Sequence, residues 1–258
     1  MKKLVEKGIV AYFDILGYQN FIKSNKIKDC IEIIENILLT LPDEIKRDYL
    51  RINENSYSKW DEYLQGIRSN FTNHMNITFI SDTIIFFFDF EKMEKNNIPS
   101  FLNQILFYLS VFMKLSFERG FPMRGYIDYG TFYFNNDNNK NIIAGEIIMK
   151  CHQETNNLDF SGLAISESIY KYCMEFDYFY LNTLFDKKYI SKYLVNLKNK
   201  EDYKYVFNII FGEFKNDLKQ YIFDSFHKYN KEINNEVMRK INNTERIMRC
   251  FLSCNNNL

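Results

Sequence analysis

IVAYFDILGY, residues 9–18, is an apolar run with a single carboxylate, Asp14, near its end. Its β-branched and aromatic residues read as a buried strand closed by Gly17. An ionised carboxylate in such a place is costly unless a cation or hydrogen-bond donors meet it. The fold therefore has to bring something to Asp14.

Working outward, YQNFIKSN and CIEIIENILLTL (30–41) have helical spacing that ends before Pro42. Residues 43–74 are charged and weakly patterned, and read as a helical insertion. NITFIS and DTIIFFFDF (76–90) are apolar runs that meet at Ser81-Asp82, the signature of a hairpin. Pro99 suits the first turn of a long apolar helix ended by Gly120. PMRGYIDYGTFYF (122–134) reads as a strand, FNNDNNKN as a solvated loop, and NIIAG (141–145) as a short strand entering the helix EIIMKCHQETN. SGLAIS (161–166) reads as a further strand. Beyond residue 168 the pattern turns helical and charged, with one strand expected at FYLNTL. This order predicts an α+β fold, an antiparallel-rich sheet with helices on one face. A soft boundary near 185 divides a catalytic domain (1–185) from a helical C-terminal extension (186–258).

Composition narrows the function classes. The 258 residues carry 33 Lys plus Arg against 33 Asp plus Glu, so no net charge favours nucleic acid or anionic membrane. Hydrophobic residues make up 46% and aromatics 17%, enough for a substantial core. The five cysteines show no CxxC pair and no zinc-type spacing to histidine, which predicts reduced thiols in a cytoplasmic protein. The basic start MKKLVEK precedes an apolar run too short for a signal peptide and broken by Asp14. No stretch reaches transmembrane length without a charge.

Asp82, like Asp14, sits at a break in an apolar strand. If the two strands are neighbours, both carboxylates converge on one end of the sheet, and their repulsion invites a cation. Hard oxygen ligands at a partly open site suit Mg²⁺ or Mn²⁺, with substrate phosphates completing the shell. A turn cap at a strand end accounts for either aspartate as well, and both readings stay open at this level.

AYFDILGY, FISDTIIFF, MRGYIDYG and AGEIIMKCHQE, in that order, resemble the class III nucleotidyl cyclase domain. The pyrimidine cyclases of bacterial anti-phage (Pycsar) systems are the most similar group. The resemblance spans roughly residues 8–170 and implies the ferredoxin-like, palm-type cyclase sheet. It implies two divalent ions, Mg²⁺ or Mn²⁺, held by Asp14, Asp82 and the backbone carbonyl of Ile15. It casts Arg124 as the arginine that grips the triphosphate, where a surface salt bridge is the plainer alternative. Gly17 would let the backbone approach phosphate, or simply end the strand.

The positions that read a purine base in this family are occupied here by Thr78 and Ile142, which match neither the adenylate nor the guanylate pattern. The resemblance therefore implies UTP or CTP as substrate, and a 3′,5′-cyclic monophosphate second messenger as product. Met149 and Gln153 stand where the family places an Asn and an Arg, with Lys150 as a candidate replacement cation and Glu154 in a structural role. Phe13 and Phe79 are candidates for the base pocket, or core aromatics. Asp89 and Asp128 match no motif. The resemblance also implies a homodimer with composite sites, and a separate effector that reads the product. Two alternatives stay open: a cyclase of ATP or GTP with a rebuilt base pocket, and a catalytically inactive nucleotide-binding regulator.

Overall fold

The computed structural model describes residues 2–51, 75–90, 98–137, 140–175, 189–209 and 217–255. Strand β1 (Lys2–Ile15) lies at the centre of an eight-stranded mixed sheet. β3 (Thr83–Asp89) flanks it on one side, with β2 (Met75–Ile80) outside that, and β4 (Met123–Asp137) flanks it on the other. Beyond β4 come β6 (Gly162–Ile165), β8 (Glu201–Phe207) and β7 (Ile190–Asn196), while β5 (Lys140–Ala144) pairs with the far half of β4. Every pairing is antiparallel except β4 with β6.

The apolar run of β1 is double-faced because helices cover both sides of the sheet at its centre. Ile9, Ala11, Phe13 and Ile15 point into the larger core, and Val10 and Tyr12 into a smaller one on the opposite face. The larger core is roofed by α1 (Tyr18–Ser24), α2 (Ile27–Ile33), α3 (Leu41–Arg51) and the long α4 (Ile98–Glu118). The strand-and-helix order predicts helices on this face alone, and the structure covers the opposite face as well. Between α2 and α3 the chain makes a π-helical turn, Ile34–Leu38, and Pro42 opens α3.

Among the described residues one helix, α4, is long and apolar enough to cross a membrane. Of that stretch, 61% is buried inside the fold. Its Phe112 ring meets Phe13 and Phe86 edge-on, so its all-round apolar character belongs to a core helix.

On the other face, α5 (Glu146–Asn157) lays Ile147, Cys151 and Thr155 against the sheet at helical spacing. It is joined there by Ile247 and Phe251 of the C-terminal helix α8 (Asn235–Asn255). Between them in sequence come α6 (Glu167–Glu175) and α7 (Leu218–His227).

Two further expectations need correction. The stretch after 185 is not purely helical: β7 and β8 form a hairpin that continues the main sheet through the β6–β8 pairing. The boundary near 185 therefore does not separate two structural units. The polar tract 134–141 is largely strand, because β4 runs to Asp137 and β5 begins at Lys140. The strand expected at FYLNTL and most of the 43–74 insertion lie outside the described residues, though the insertion begins within α3.

Candidate active site

Asp14 follows Val10 and Tyr12 in strand parity, so its side chain emerges on the α5 face. Thr83 of β3, Asp14 of β1 and Arg124 of β4 stand side by side in register there. Arg124 Nε donates to Asp14 Oδ2 at 2.8 Å, and Nη2 approaches the same oxygen at 2.7 Å. The partly buried carboxylate at the end of the strand is met by a guanidinium from the neighbouring strand.

Arg124 is itself fixed. Nη1 donates to the carbonyls of Asn156 (2.9 Å) and Leu158 (3.1 Å), and Nη2 to Asn156 Oδ1 (2.9 Å). Four hydrogen bonds therefore hold the guanidinium, and Nη2 is also in ion-pair contact with Asp14. Its side chain is only 9% exposed. The resemblance casts Arg124 as a phosphate-gripping arginine; in this structure its guanidinium is engaged with Asp14, Asn156 and Leu158. Its flat, forked head suits that task better than a lysine would.

Asp82 sits with Ser81 in the two-residue turn between β2 and β3, with Ser81 at a left-handed φ of 56°. The Ile15 amide donates to the Asp82 carbonyl at 2.9 Å, pinning the hairpin tip to the end of β1. The two aspartates share one field. Burial pushes the Asp14 carboxyl above its ordinary value, Arg124 pulls it back, and Asp82 adds a further upward push. Burial likewise raises the Tyr12 phenol, with smaller upward contributions from both Asp14 and Asp82.

The residues fit a divalent cation. Both contacts from Arg124 fall on Oδ2 of Asp14, so its grip does not use Oδ1, and the side chain keeps 17% exposure. Asp82 is half-buried. No cluster of three or more His, Cys, Asp or Glu side chains forms among the described residues. A cation here would thus rest on two carboxylates and main-chain oxygen, a donor set for hard ions that retain water or substrate oxygens.

The other sequence-predicted residues divide by location. Gly17 has φ 78° between β1 and α1, a left-handed conformation that favours glycine. Thr78 stands opposite Ile85, on the same face as Asp14, and is buried. Phe13 is not a ligand contact: it is fully buried in the larger core, against Phe86 and Phe112. Phe79 packs against that same core.

Ile142 pairs with Asn135, which pairs with Lys2 at the opposite end of β1 from Asp14. Met149 and Gln153 lie on the exposed side of α5, Met149 at 64% exposure and Ile142 at 47%. A single chain thus does not bring Ile142 to the carboxylates. Lys150 is not a replacement cation there, because its ammonium is 2.6 Å from the buried Asp128 carboxylate. That pair lines a cavity of about 740 Å³ with Glu146, Thr131 and Gly145. Glu154 ties α5 to β8 through Lys204 at 2.9 Å.

Sequence reasoning did not single out His152, Asn156, Lys198 or Lys240. Asn156 bonds both Arg124 and His152 (2.8 Å), and the His152 ring meets Tyr12 edge-on. Lys198 lies in the β7–β8 turn, its amide bonded to the Asn157 carbonyl at 2.9 Å. Desolvation, then repulsion from Arg124 and Lys240, lower its ammonium below the ordinary lysine value. Only the spacing Gln153–Asn156, one helical turn on from a position already flagged, hinted at any of these.

No family model matches the sequence, and no curated protein does. Among solved structures, the chain is similar to the catalytic core of a rhodopsin-guanylyl cyclase with converted specificity in complex with ATPalphaS. The identity there is 12% over 81% of this chain and 98% of that one, with a TM-score of 0.46. It is similar to the adenylyl cyclase CyaB from P. aeruginosa at 11% identity, over 83% and 97% of the two chains, with a TM-score of 0.44. It is also similar to the guanylate cyclase domain of RhGC from Catenaria anguillulae in complex with GTP. That match has 13% identity, covers 79% and 97% of the two chains, and scores 0.45.

Proposed function

We propose that this protein is a class III-type nucleotidyl cyclase that converts UTP or CTP to the 3′,5′-cyclic monophosphate and pyrophosphate. The observation that carries the reading is the Asp14–Asp82 pair, joined at one sheet end by the Ile15 amide and backed by Arg124. The four sequence segments that resemble cyclases in order supply the reaction class.

In the reaction the ribose 3′ oxygen forms a bond to the α-phosphorus, the bond from that phosphorus to the bridging oxygen breaks, and the 3′ proton is lost. Asp14, Asp82 and the Ile15 carbonyl would hold two divalent ions. Bound there, such ions offset charge on the α-phosphate and ease ionisation of the 3′ hydroxyl. Arg124 favours the ionised Asp14 carboxylate and keeps it aimed, a positioning role set by its four hydrogen bonds. Gly17 lets the chain turn closely beside the phosphates.

Ile142, Met149 and Gln153 act from a second copy of the chain. Their exposed placement on β5 and α5, away from the carboxylates of their own chain, suits a composite site in a homodimer. Thr78, on the α5 face, borders the base. The cyclic product would serve as a messenger for a separate effector, in anti-phage defence.

Turnover of the four nucleoside triphosphates side by side with Mn²⁺ tests the substrate. Pyrimidine preference is expected, and purine preference would overturn that choice. Asp14→Ala and Asp82→Ala should each abolish product.

A further inference from the structure

The Arg124 guanidinium is engaged by Asp14, Asn156 and Leu158, and a nucleoside triphosphate brings several negative charges to this sheet end. Beside the divalent ions proposed above, a further side-chain cation would help to receive them. The segment 156–161 is held from two sides. Arg124 binds the carbonyls of Asn156 and Leu158 from the sheet. From the opposite side, α8 binds the next residues. Arg239 bonds both oxygens of the buried Asp159 carboxylate at 2.7 and 3.0 Å, and Asn243 bonds its Oδ2 and its carbonyl at 3.0 and 2.9 Å. The Ser161 amide donates to Thr244 Oγ1 at 2.9 Å, and that hydroxyl donates to the Lys240 carbonyl at 2.7 Å.

These bonds fix the turn of α8 that carries Lys240 against the strip of chain that anchors Arg124. We propose that Lys240 of the C-terminal helix is a polyphosphate-binding residue of the carboxylate site, acting in the same chain as Asp14; this rests on the nucleotide-binding reading above.

Three observations support the assignment. The Lys240 carbonyl accepts from Thr244, which takes the Ser161 amide, and Ser161 Oγ donates to the carbonyl of Met123, the residue before Arg124; the Lys240 charge is the smallest of the contributions that lower the Asp14 carboxyl. Lys240 is 13% exposed at its side chain, so its stem is sheltered and its reach restricted. Its present partner is Glu236, one helical turn earlier at 2.6 Å and 60% exposed. An i,i+4 pair with an exposed glutamate is weak, so a phosphate oxygen competes for the ammonium at little cost. Glu236 is thereby a placeholder that pairs with Lys240 when no anion is bound.

Inorganic tripolyphosphate is the probe, titrated calorimetrically into the full-length protein with Mg²⁺, alongside a product assay on the same preparations. Lys240→Met should weaken tripolyphosphate binding about tenfold or more, the loss of one charge-assisted bond. Lys240→Arg should restore most of the affinity, and Glu236→Gln should leave it equal or tighter. Thermal melts identify a variant that has failed to fold, in which case the Arg and Gln variants decide. Equal binding by wild type and Lys240→Met, or no binding by wild type, overturns the proposal. Lys240-dependent binding without any cyclic product would sustain this inference while refuting the cyclase reading.

Discussion

Raising the pH from 7 to 8.5 should stabilise this protein through one buried lysine. Lys231 is 4% exposed, and its ammonium donates to the carbonyls of Gly120 (2.7 Å) and Ser225 (3.2 Å). Burial, with help from nearby Lys228, brings it down from 10.5 to about 7. At 1.36 kcal/mol per pH unit, that gap corresponds to roughly 5 kcal/mol at most. Below about 7 the lysine is charged in both folded and unfolded chains, and the full penalty of burying it is present. Between about 7 and 10.5 the unfolded chain holds a proton that the folded chain lacks, so stability rises with pH. Over 1.5 pH units the gain is about 2 kcal/mol, or ~4–8 °C in Tm for a chain of this size.

The buried thiols of Cys30, Cys151 and Cys173 oppose this at the alkaline end, since burial holds them protonated in the fold. Lys231→Met provides the reference that cancels them. Denaturation of both proteins at pH 7, 7.75 and 8.5 should show the wild type gaining on the variant by about 2 kcal/mol. A pH-independent difference would refute the buried-ammonium account. The contact matters to the site as well, because neighbouring residues of the same segment clasp α1. Asn25 Nδ2 donates to the Tyr229 carbonyl at 2.7 Å, and the Glu232 amide donates to Asn20 Oδ1 at 2.8 Å.

Gly125→Ala should destabilise by about 1–3 kcal/mol in chemical denaturation, the usual cost of overpacking a core. A Cβ there would come within 2.5 Å of the Phe13 ring and 3.0 Å of Leu163, and any relief shifts Arg124. Asn243→Ala removes two buried hydrogen bonds to Asp159 and should cost about 1–3 kcal/mol; tripolyphosphate affinity should fall with it, as α8 loses its seat. Divalent-ion affinity, followed by Mn²⁺ titration, should decline on acidification at a higher pH than an ordinary aspartate would give. Burial raises the Asp14 carboxyl, and the protonated form does not bind a cation. A decline confined to the usual carboxylate range would count against Asp14 as a ligand.

The carboxylate pair was legible in the sequence for local reasons. Asp14 interrupts a strand whose parity sets its face, and Asp82 falls at the break of a hairpin, so each position follows from a period-two pattern. The engagement of Arg124 was not legible, because three of its acceptors come from the 156–158 turn, whose arrival beside β4 is purely tertiary. The β7–β8 hairpin escaped for a different reason. ISKYLVN and EDYKYVF alternate, but their exposed positions are Lys192, Leu194, Glu201 and Tyr203, a mixture that reads as a charged helical tract. Lys198 and Lys240 were hidden among 33 basic residues. Only the bonds from α8 to Asp159 and Ser161 set Lys240 apart.

The central claim is that the Asp14–Asp82 site closes a ring on a pyrimidine nucleotide. Mass spectrometry of the product formed by the purified protein from UTP and CTP with Mn²⁺ tests it most directly. The account predicts a 3′,5′-cyclic monophosphate with stoichiometric pyrophosphate, absent with Asp14→Ala and with Asp82→Ala. A linear monophosphate or diphosphate as the only product, or cyclic product undiminished in both variants, would contradict it.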